Sequence, residues 1–165
     1  MIIDGLAIEE HEPLHVKFKK RSATDLIVIH CAATPNEPKF NWSSIDAMHR
    51  QRGFIAIGYH YVITTKGIIQ EGRPDDAIGA HAQGFNSKSI GICLIGGVDK
   101  NGKSVNNFTK EQFTSLKNLL EYLLQKYPSV TKIVGHRDLP NVHKDCPCFD
   151  VIPMYGHLVV GETNK

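Results

Sequence analysis

Apolar positions along this chain follow two periods, and the shorter one dominates the first half. Leu26, Ile27, Val28 and Ile29, continued by His30 and Cys31, form a near-continuous apolar run, the pattern of a central strand covered on both faces. Ser89 to Ile95, small and β-branched, predicts a second such strand with Cys93 buried in it, and Val130 to Val134 predicts a third that ends just before His136. Gly58 to Ile63 reads as a strand whose alternation puts Tyr59, Tyr61 and Ile63 on one face and His60 and Val62 on the other. Thr65, Lys66 and Gly67 then make a hairpin turn into Ile68 and Ile69. Leu14 to Phe18 alternates weakly and is expected at a sheet edge before a turn at Arg21 and Ser22.

Helical spacing governs one long stretch, where Phe113, Leu116, Leu119, Leu120, Leu123, Leu124 and Tyr127 make a wide apolar stripe. Thr109 and Gln112 form its capping box and Pro128 follows its stop, so this is a core helix on the sheet. A shorter helix carrying Ile45, Met48 and His49 is expected to start at Ser43 or Ser44 and to stop at Gly53, with His49 on its surface or packed. Asp99 to Gly102 is a turn within a polar loop. Strands interleaved with helices predict an α/β fold, a central mixed β-sheet flanked by α-helices in a single domain over 1–165.

Composition narrows the class. A chain of 165 residues buries roughly 70% of the surface its unfolded form exposes and needs no disulfide staples. The net charge of +2 excludes a polyanion binder by composition, and the run Lys17, Lys19, Lys20, Arg21 reads as a solvated edge. Cys31, Cys93, Cys146 and Cys148 are not spaced as a secreted disulfide framework, so reduced thiols are expected. The N-terminus carries Asp4, Glu9, Glu10 and Glu12 rather than a basic region before an apolar core, and no apolar stretch has membrane-spanning length. Synthesis in the cytoplasm without membrane insertion is the expectation, and no direct nucleic-acid contact is expected.

The candidate chemistry lies in 133–150, IVGHRDLPNVHKDCPCFD, which crowds His136, His143, Lys144, Cys146 and Cys148 into a loop after a strand. A histidine and a thiolate brought together this way suit zinc, which in a catalytic site takes three protein ligands. His30 is the best source of the third, because it ends a strand and Ala32, Ala33 and Thr34 beside it leave space. Taken singly, either histidine reads as a structural residue and Cys146 as a small buried hydrophobe. Spacing alone does not select the trio: the intervals fit neither zinc-finger pairs nor HExxH, and Cys148, His143 and Asp145 stay open as ligands. Cys148 as a fourth ligand would close the site. The glycine and alanines around His81 fit a close ligand approach or a turn packed on the sheet equally well.

The strings VIHCAAT, GYHYVI, GRPDDAIGAHAQGFNSKSIGICLIGG, and GHRDLP followed by KDCPCFD resemble the zinc-dependent N-acetylmuramoyl-L-alanine amidases of type 2, which share their fold with peptidoglycan-recognition proteins. Within that family the chain looks most like the short phage endolysins. The resemblance covers 16–150 and leaves 1–13 and 151–165 as terminal extensions, the latter too short for a cell-wall-binding domain. It implies zinc held by His30, His136 and Cys146, with Tyr59 and Lys144 as catalytic polar groups and His81 and Arg73 as candidates for substrate contact. It also implies that Tyr59 points into the zinc cleft. The implied activity is hydrolysis of the amide between N-acetylmuramic acid and L-alanine, by a monomer that leaves the host cytoplasm through a holin-like pore. Two rival roles accompany it: a muropeptide-binding module without hydrolysis, and binding of a phage RNA polymerase.

Overall fold

The computed structural model describes residues 2–3 and 6–159. Seven strands, β1 (Ile2–Ile3), β2 (Leu6–Glu9), β3 (Leu26–Cys31), β4 (Tyr61–Ile63), β5 (Ile69–Glu71), β6 (Ser89–Leu94) and β7 (Lys132–Gly135), form one mixed sheet in the order β1-β2-β5-β4-β6-β3-β7. Among the described residues three α-helices, α1 (Trp42–Gln51), α2 (Lys110–Lys126) and α3 (Val151–Tyr155), accompany it. β3 is parallel to both β6 and β7, β4 is parallel to β6, and β4 and β5 make the expected antiparallel hairpin with Ile63 opposite Ile69. All six residues of β3 and all six of β6 are buried, as continuous apolar strands between helix layers must be.

Strand alternation sorts the sheet into two faces. Ile27 and Ile29 of β3, Ile90, Ile92 and Leu94 of β6, and Tyr61 and Ile63 of β4 pack against Leu116, Leu119, Leu120 and Leu123 of α2. Those four leucines are inaccessible to solvent; at about 1.5–3 kcal/mol per buried side chain they anchor this face. The predicted capping box holds, since Thr109 accepts from the Gln112 N–H and Gln112 returns the bond to the Thr109 N–H. The Gln112 amide also donates to the carbonyls of Ile63 and Ile95, fixing the start of α2 to the ends of β4 and β6. On the opposite face Val28, Val134 and Leu139 form one small cluster and Ile45, Ile57, Val62, Cys93 and Ile95 another, under α1.

Three expectations change. Leu14 to Phe18 forms no strand; the strand beyond β5 is β2, parallel to it with Ile8 opposite Ile69 and itself flanked by β1, in a segment where Leu6, Ala7 and Ile8 run consecutively and hide the alternation. The cap of α1 is Asn41, whose side-chain oxygen accepts from the N–H groups of Ser43 and Ser44, with Ser44 at N3 of a capping box. Tyr59 lies with Val62 and not with Tyr61 and Ile63, because regular strand begins only at Tyr61. Before it the backbone of Gly58 presses on Ala80, where a Cβ would lie 2.0 Å from the carbonyl oxygen. The role of the terminal segments was left open by the sequence: Ile8, Val151, Tyr155 and Val159 are all core residues, while residues 1, 4–5 and 160–165 lie outside the described ones.

His60 and His49 are buried and neutral. His60 Nδ1 accepts the Gly91 N–H at 3.0 Å while its Nε2 donates to the Ala77 carbonyl at 2.8 Å, and burial pushes its pKa down to about 4. Burial also pushes His49 down to about 4, and its Nδ1 accepts the Gly58 N–H at 2.8 Å. An unfolded histidine takes up its proton near 6.5, so below that pH the unfolded state binds more protons and stability falls as pH falls. Metal-free protein is expected to lose about 2 kcal/mol through His60 alone between pH 7 and pH 5. Urea unfolding at the two values measures this, and an unchanged midpoint would refute it.

Candidate active site

The parallel edges of β3 bring the ligand-capable side chains together. His30 shares the face of Val28, and Ile29 stands opposite Gly135 of β7, so His136, which opens a 3₁₀ turn at His136–Asp138, arrives beside it. The two rings are 4.5 Å apart between centroids. Cys146 completes the group from the following loop. His30 Nδ1 lies 4.0 Å from Cys146 Sγ, and the ligand atoms of His30, His136 and Cys146 all fall within 4.8 Å of one another. Two imidazoles and a thiolate that share a zinc ion at 2.0–2.3 Å sit about 3.5 Å apart; the trio fits that donor set with a small contraction.

The loop is held by backbone and side-chain hydrogen bonds. Arg137 N–H donates to the Cys146 carbonyl at 2.9 Å, the Arg137 guanidinium reaches the Asp145 carbonyl and the Asp150 carboxylate, and the Cys31 N–H donates to Cys146 Sγ at 3.2 Å. A thiolate is the better acceptor for that N–H. Burial first, then the neighbouring His81 and His136, hold His30 well below the usual imidazole range, and burial followed by Lys144 lowers His136. Both are therefore neutral at neutral pH, the form in which a histidine binds metal.

The trio opens onto a cleft of about 1050 Å³ that is also lined by Tyr59, His81 and Lys144. The Tyr59 ring stands 4.9 Å from that of His30, and burial raises its phenol well above the ordinary value, so it stays a hydrogen-bond donor. Lys144 is exposed on the rim. Of the two places expected for His49 the packed one holds: it is buried on the cleft wall beside Tyr59, their ring centroids 5.2 Å apart. Cys148 turns away, its thiol donating to the Gly97 carbonyl at 3.5 Å, and burial pushes its pKa up to about 11; among the described residues neither it, His143 nor Asp145 joins the metal-capable group.

The two expected substrate contacts diverge. His81 reaches the cleft, but one ring nitrogen lies 2.8 Å from His30 Nε2 and the other 3.2 Å from Ser89 Oγ. Arg73 is buried away from the cleft: its guanidinium donates to the carbonyls of Ile57 at 2.7 Å and Ile78 at 3.0 Å and lies over the Phe18 ring. The resemblance made it a candidate for substrate contact, yet the guanidinium braces backbone. Asn86 and Ser89, which support His81, and Arg137 were not singled out in the sequence. The only signal for them was their place within the shared strings.

A mixed sheet with a His-His-Cys group at its strand ends, open to a polar cleft, defines a hydrolase-like site. A model of N-acetylmuramoyl-L-alanine amidase matches residues 20–149. The endolysin of Escherichia phage T7 is 41% identical over 136 residues, 82% of this chain and 88% of that one. Among solved structures, the endolysin N-acetylmuramoyl-L-alanine amidase LysCS from Clostridium intestinale is 32% identical with a TM-score of 0.68, covering 86% of each chain. Drosophila PGRP-LB, at 23% identity and a TM-score of 0.69 over 97% of this chain and 94% of its own, shares the fold. The chain belongs to the N-acetylmuramoyl-L-alanine amidase family, and its enzymatic class is that of an amide hydrolase.

Since Arg73 serves backbone, Arg73→Ala leaves two carbonyls without their partner and is expected to destabilise the fold by about 2–3 kcal/mol. KM for peptidoglycan should stay within about twofold in the folded fraction, an interval below 1 kcal/mol. A large rise in KM with unchanged stability would return Arg73 to the substrate.

Proposed function

We propose that this chain is a zinc-dependent endolysin that cleaves the amide between the lactyl group of N-acetylmuramic acid and L-alanine, with His30, His136 and Cys146 as the metal ligands. The observation that carries the reading is the convergence of three ligand atoms within 4.8 Å in a cleft that also holds Tyr59 and Lys144. Zinc, when bound, supplies Lewis acidity and lowers the pKa of a water to about 7.

The chain's own residues do the rest. The scissile carbonyl oxygen gains negative charge as its carbon becomes tetrahedral, and two donors meet it: the Tyr59 phenol, kept protonated by burial, and the Lys144 ammonium on the rim. A donor aimed at such an oxygen contributes about 10²–10³ in rate. The loop from Leu139 to Lys144 lines the cleft together with Arg52 and Phe54, and the cleft is open at the surface. An open cleft suits a polymeric substrate, whose glycan must pass through rather than be enclosed. Retention of Cys146 beside both histidines favours hydrolysis over muropeptide binding alone.

No helix among the described residues is long and apolar enough to cross a membrane. We infer synthesis in the host cytoplasm and passage to the wall through a holin-like pore, supported by the kinship with phage endolysins. For a phage RNA polymerase as a further partner, the support is the resemblance to the short phage endolysins alone.

The bond is tested by end-group analysis: digestion should create free amino termini on L-alanine and should stop when the metal is chelated. New reducing sugar ends without those termini, or an undiminished rate in metal-free protein, would overturn the reading. The residues are tested by metal content and turnover measured on the same preparations. Cys146→Ser should lose zinc and activity together, because a neutral hydroxyl replaces a thiolate. Lys144→Ala should keep zinc and lose about 10²-fold or more in kcat, since its charge is met chiefly in the transition state. Cys148→Ser should change neither; a zinc-free Cys148→Ser protein would refute the ligand assignment.

A further inference from the structure

His81 is held more elaborately than a cleft-lining residue requires. Its ring lies between two glycines: a Cβ on Gly79 would come within 2.7 Å of it and one on Gly91 within 2.6 Å. Gly91 stands on the cleft face of β6, opposite Val28 of β3, where any other residue would fill the space the ring occupies. The Asn86 side-chain oxygen accepts the N–H groups of both His81 and Ala82, at 2.8 and 2.9 Å, fixing the backbone from which the ring projects. Both ring nitrogens then have partners inside the protein.

The hydrogen bonds around this ring have only one consistent direction. Ser89 Oγ is 2.7 Å from the Phe85 carbonyl oxygen, and a carbonyl can only accept, so the single hydroxyl proton points there. Ser89 Oγ is left to accept from His81 Nε2, 3.2 Å away, which places the His81 proton on Nε2. His81 Nδ1 therefore keeps its lone pair and accepts from His30 Nε2 at 2.8 Å. His30, buried and neutral, carries its one proton on Nε2, and its Nδ1 lone pair faces Cys146 Sγ at 4.0 Å.

We infer that Phe85, Ser89 and His81 form a directional hydrogen-bond relay that locks His30 in the tautomer whose Nδ1 is free for metal, making His81 a positioning residue of the amidase site. The inference rests on the metal reading of His30, His136 and Cys146. Reversing the relay would aim the Ser89 hydroxyl proton at the lone pair of His81 Nε2, leave two oxygens in repulsive contact at 2.7 Å, and force a proton onto the His30 atom that faces the other ligands. With both nitrogens engaged, His81 can hydrogen-bond substrate through its ring only by breaking the relay. A partner of this kind on a metal-bound histidine typically changes metal affinity by 10–100-fold.

The first test needs no variant. Nitrogen-15 spectra of the imidazoles in metal-free wild-type protein at neutral pH should show both His30 and His81 protonated at Nε2; a His30 proton on Nδ1 overturns the relay. The second measures zinc affinity by competition with a chelating indicator. His81→Phe keeps a ring but removes the acceptor and should bind zinc about 10–100-fold more weakly. His81→Asn, whose side-chain oxygen can stand where Nδ1 stood, should recover most of that loss, and Ser89→Ala should fall between. Wild-type affinity in folded His81→Phe, or equal weakening in His81→Phe and His81→Asn at matched apo stability, refutes the relay. If His81→Phe does not fold, the wild-type spectra and Ser89→Ala decide. A wild-type protein that binds no zinc would sink the metal reading, while the tautomers still judge the relay.

Discussion

The site depends on one constraint, the parallel pairing of β3 on both of its edges. A strand flanked by two parallel neighbours presents its carboxyl end, and theirs, at the same rim of the sheet, which is where open α/β sheets place ligands. The pairing of Ile29 with Gly135 and of His30 with Cys93 brings the end of β7 beside His30. A slip of one residue in β3 would turn His30 toward α2 and put Ile29 in the cleft. The slip is opposed by Ile27 and Ile29, which are fully buried against the α2 side. The apolar register of the strand thereby sets the orientation of a polar residue that contributes nothing to that packing.

The two faces of the sheet accordingly divide the work. The α2 side holds the larger apolar cluster, including four fully buried leucines. The cleft side holds two smaller clusters and, between them, a set of histidines: His30, His49, His60 and His81, each with a polar partner. Neutral buried imidazoles must find donors and acceptors or leave unmet polar atoms costing about 1–3 kcal/mol each, and none of the buried side-chain polar atoms among the described residues lacks a partner. The cleft face is thus pre-organised by hydrogen bonds and stabilised from the other side of the sheet by apolar burial.

Much of this was legible in the sequence where a signal was local and periodic. The continuous run of β3, the hairpin after Ile63, and the stripe and capping box of α2 each follow from residues within a few positions of one another. The grouping of His30, His136 and Cys146 in space was legible through strand-end placement and through resemblance, since no spacing rule joins residues 30, 136 and 146. What could not be read depended on contacts distant in sequence. Arg73 looks like a ligand-binding residue until the carbonyls of Ile57 and Ile78 are seen to surround it. Tyr59 changes face because Gly58 meets Ala80 across a gap of over twenty residues, and alternation has no means of registering that approach. Ser43 and Ser44 each have the chemistry of a cap, but the Asn41 side chain reaches both of their N–H groups, a competition decided by backbone path.

The same distinction explains why glycine marks the support of the site better than its polar residues do. A histidine, serine or asparagine in a loop is compatible with many roles, and neither Ser89 nor Asn86 announces a partner in the sequence. Gly79 and Gly91 are compatible with few: neither has a positive φ that would call for glycine on backbone grounds, and in a strand glycine weakens packing unless something must approach closely. At Gly91 that something is the His81 ring, and at Gly79 it is the His81 ring together with the His60 ring and the Gly58 carbonyl. Two glycines that give up side-chain packing to admit one imidazole, Gly91 on the cleft face of β6 and Gly79 in the loop before His81, point to a requirement on the ring's position rather than on its bulk. Bulk alone could have been supplied by larger residues at 79 and 91 and a smaller one at 81, filling the same volume without an oriented donor and acceptor.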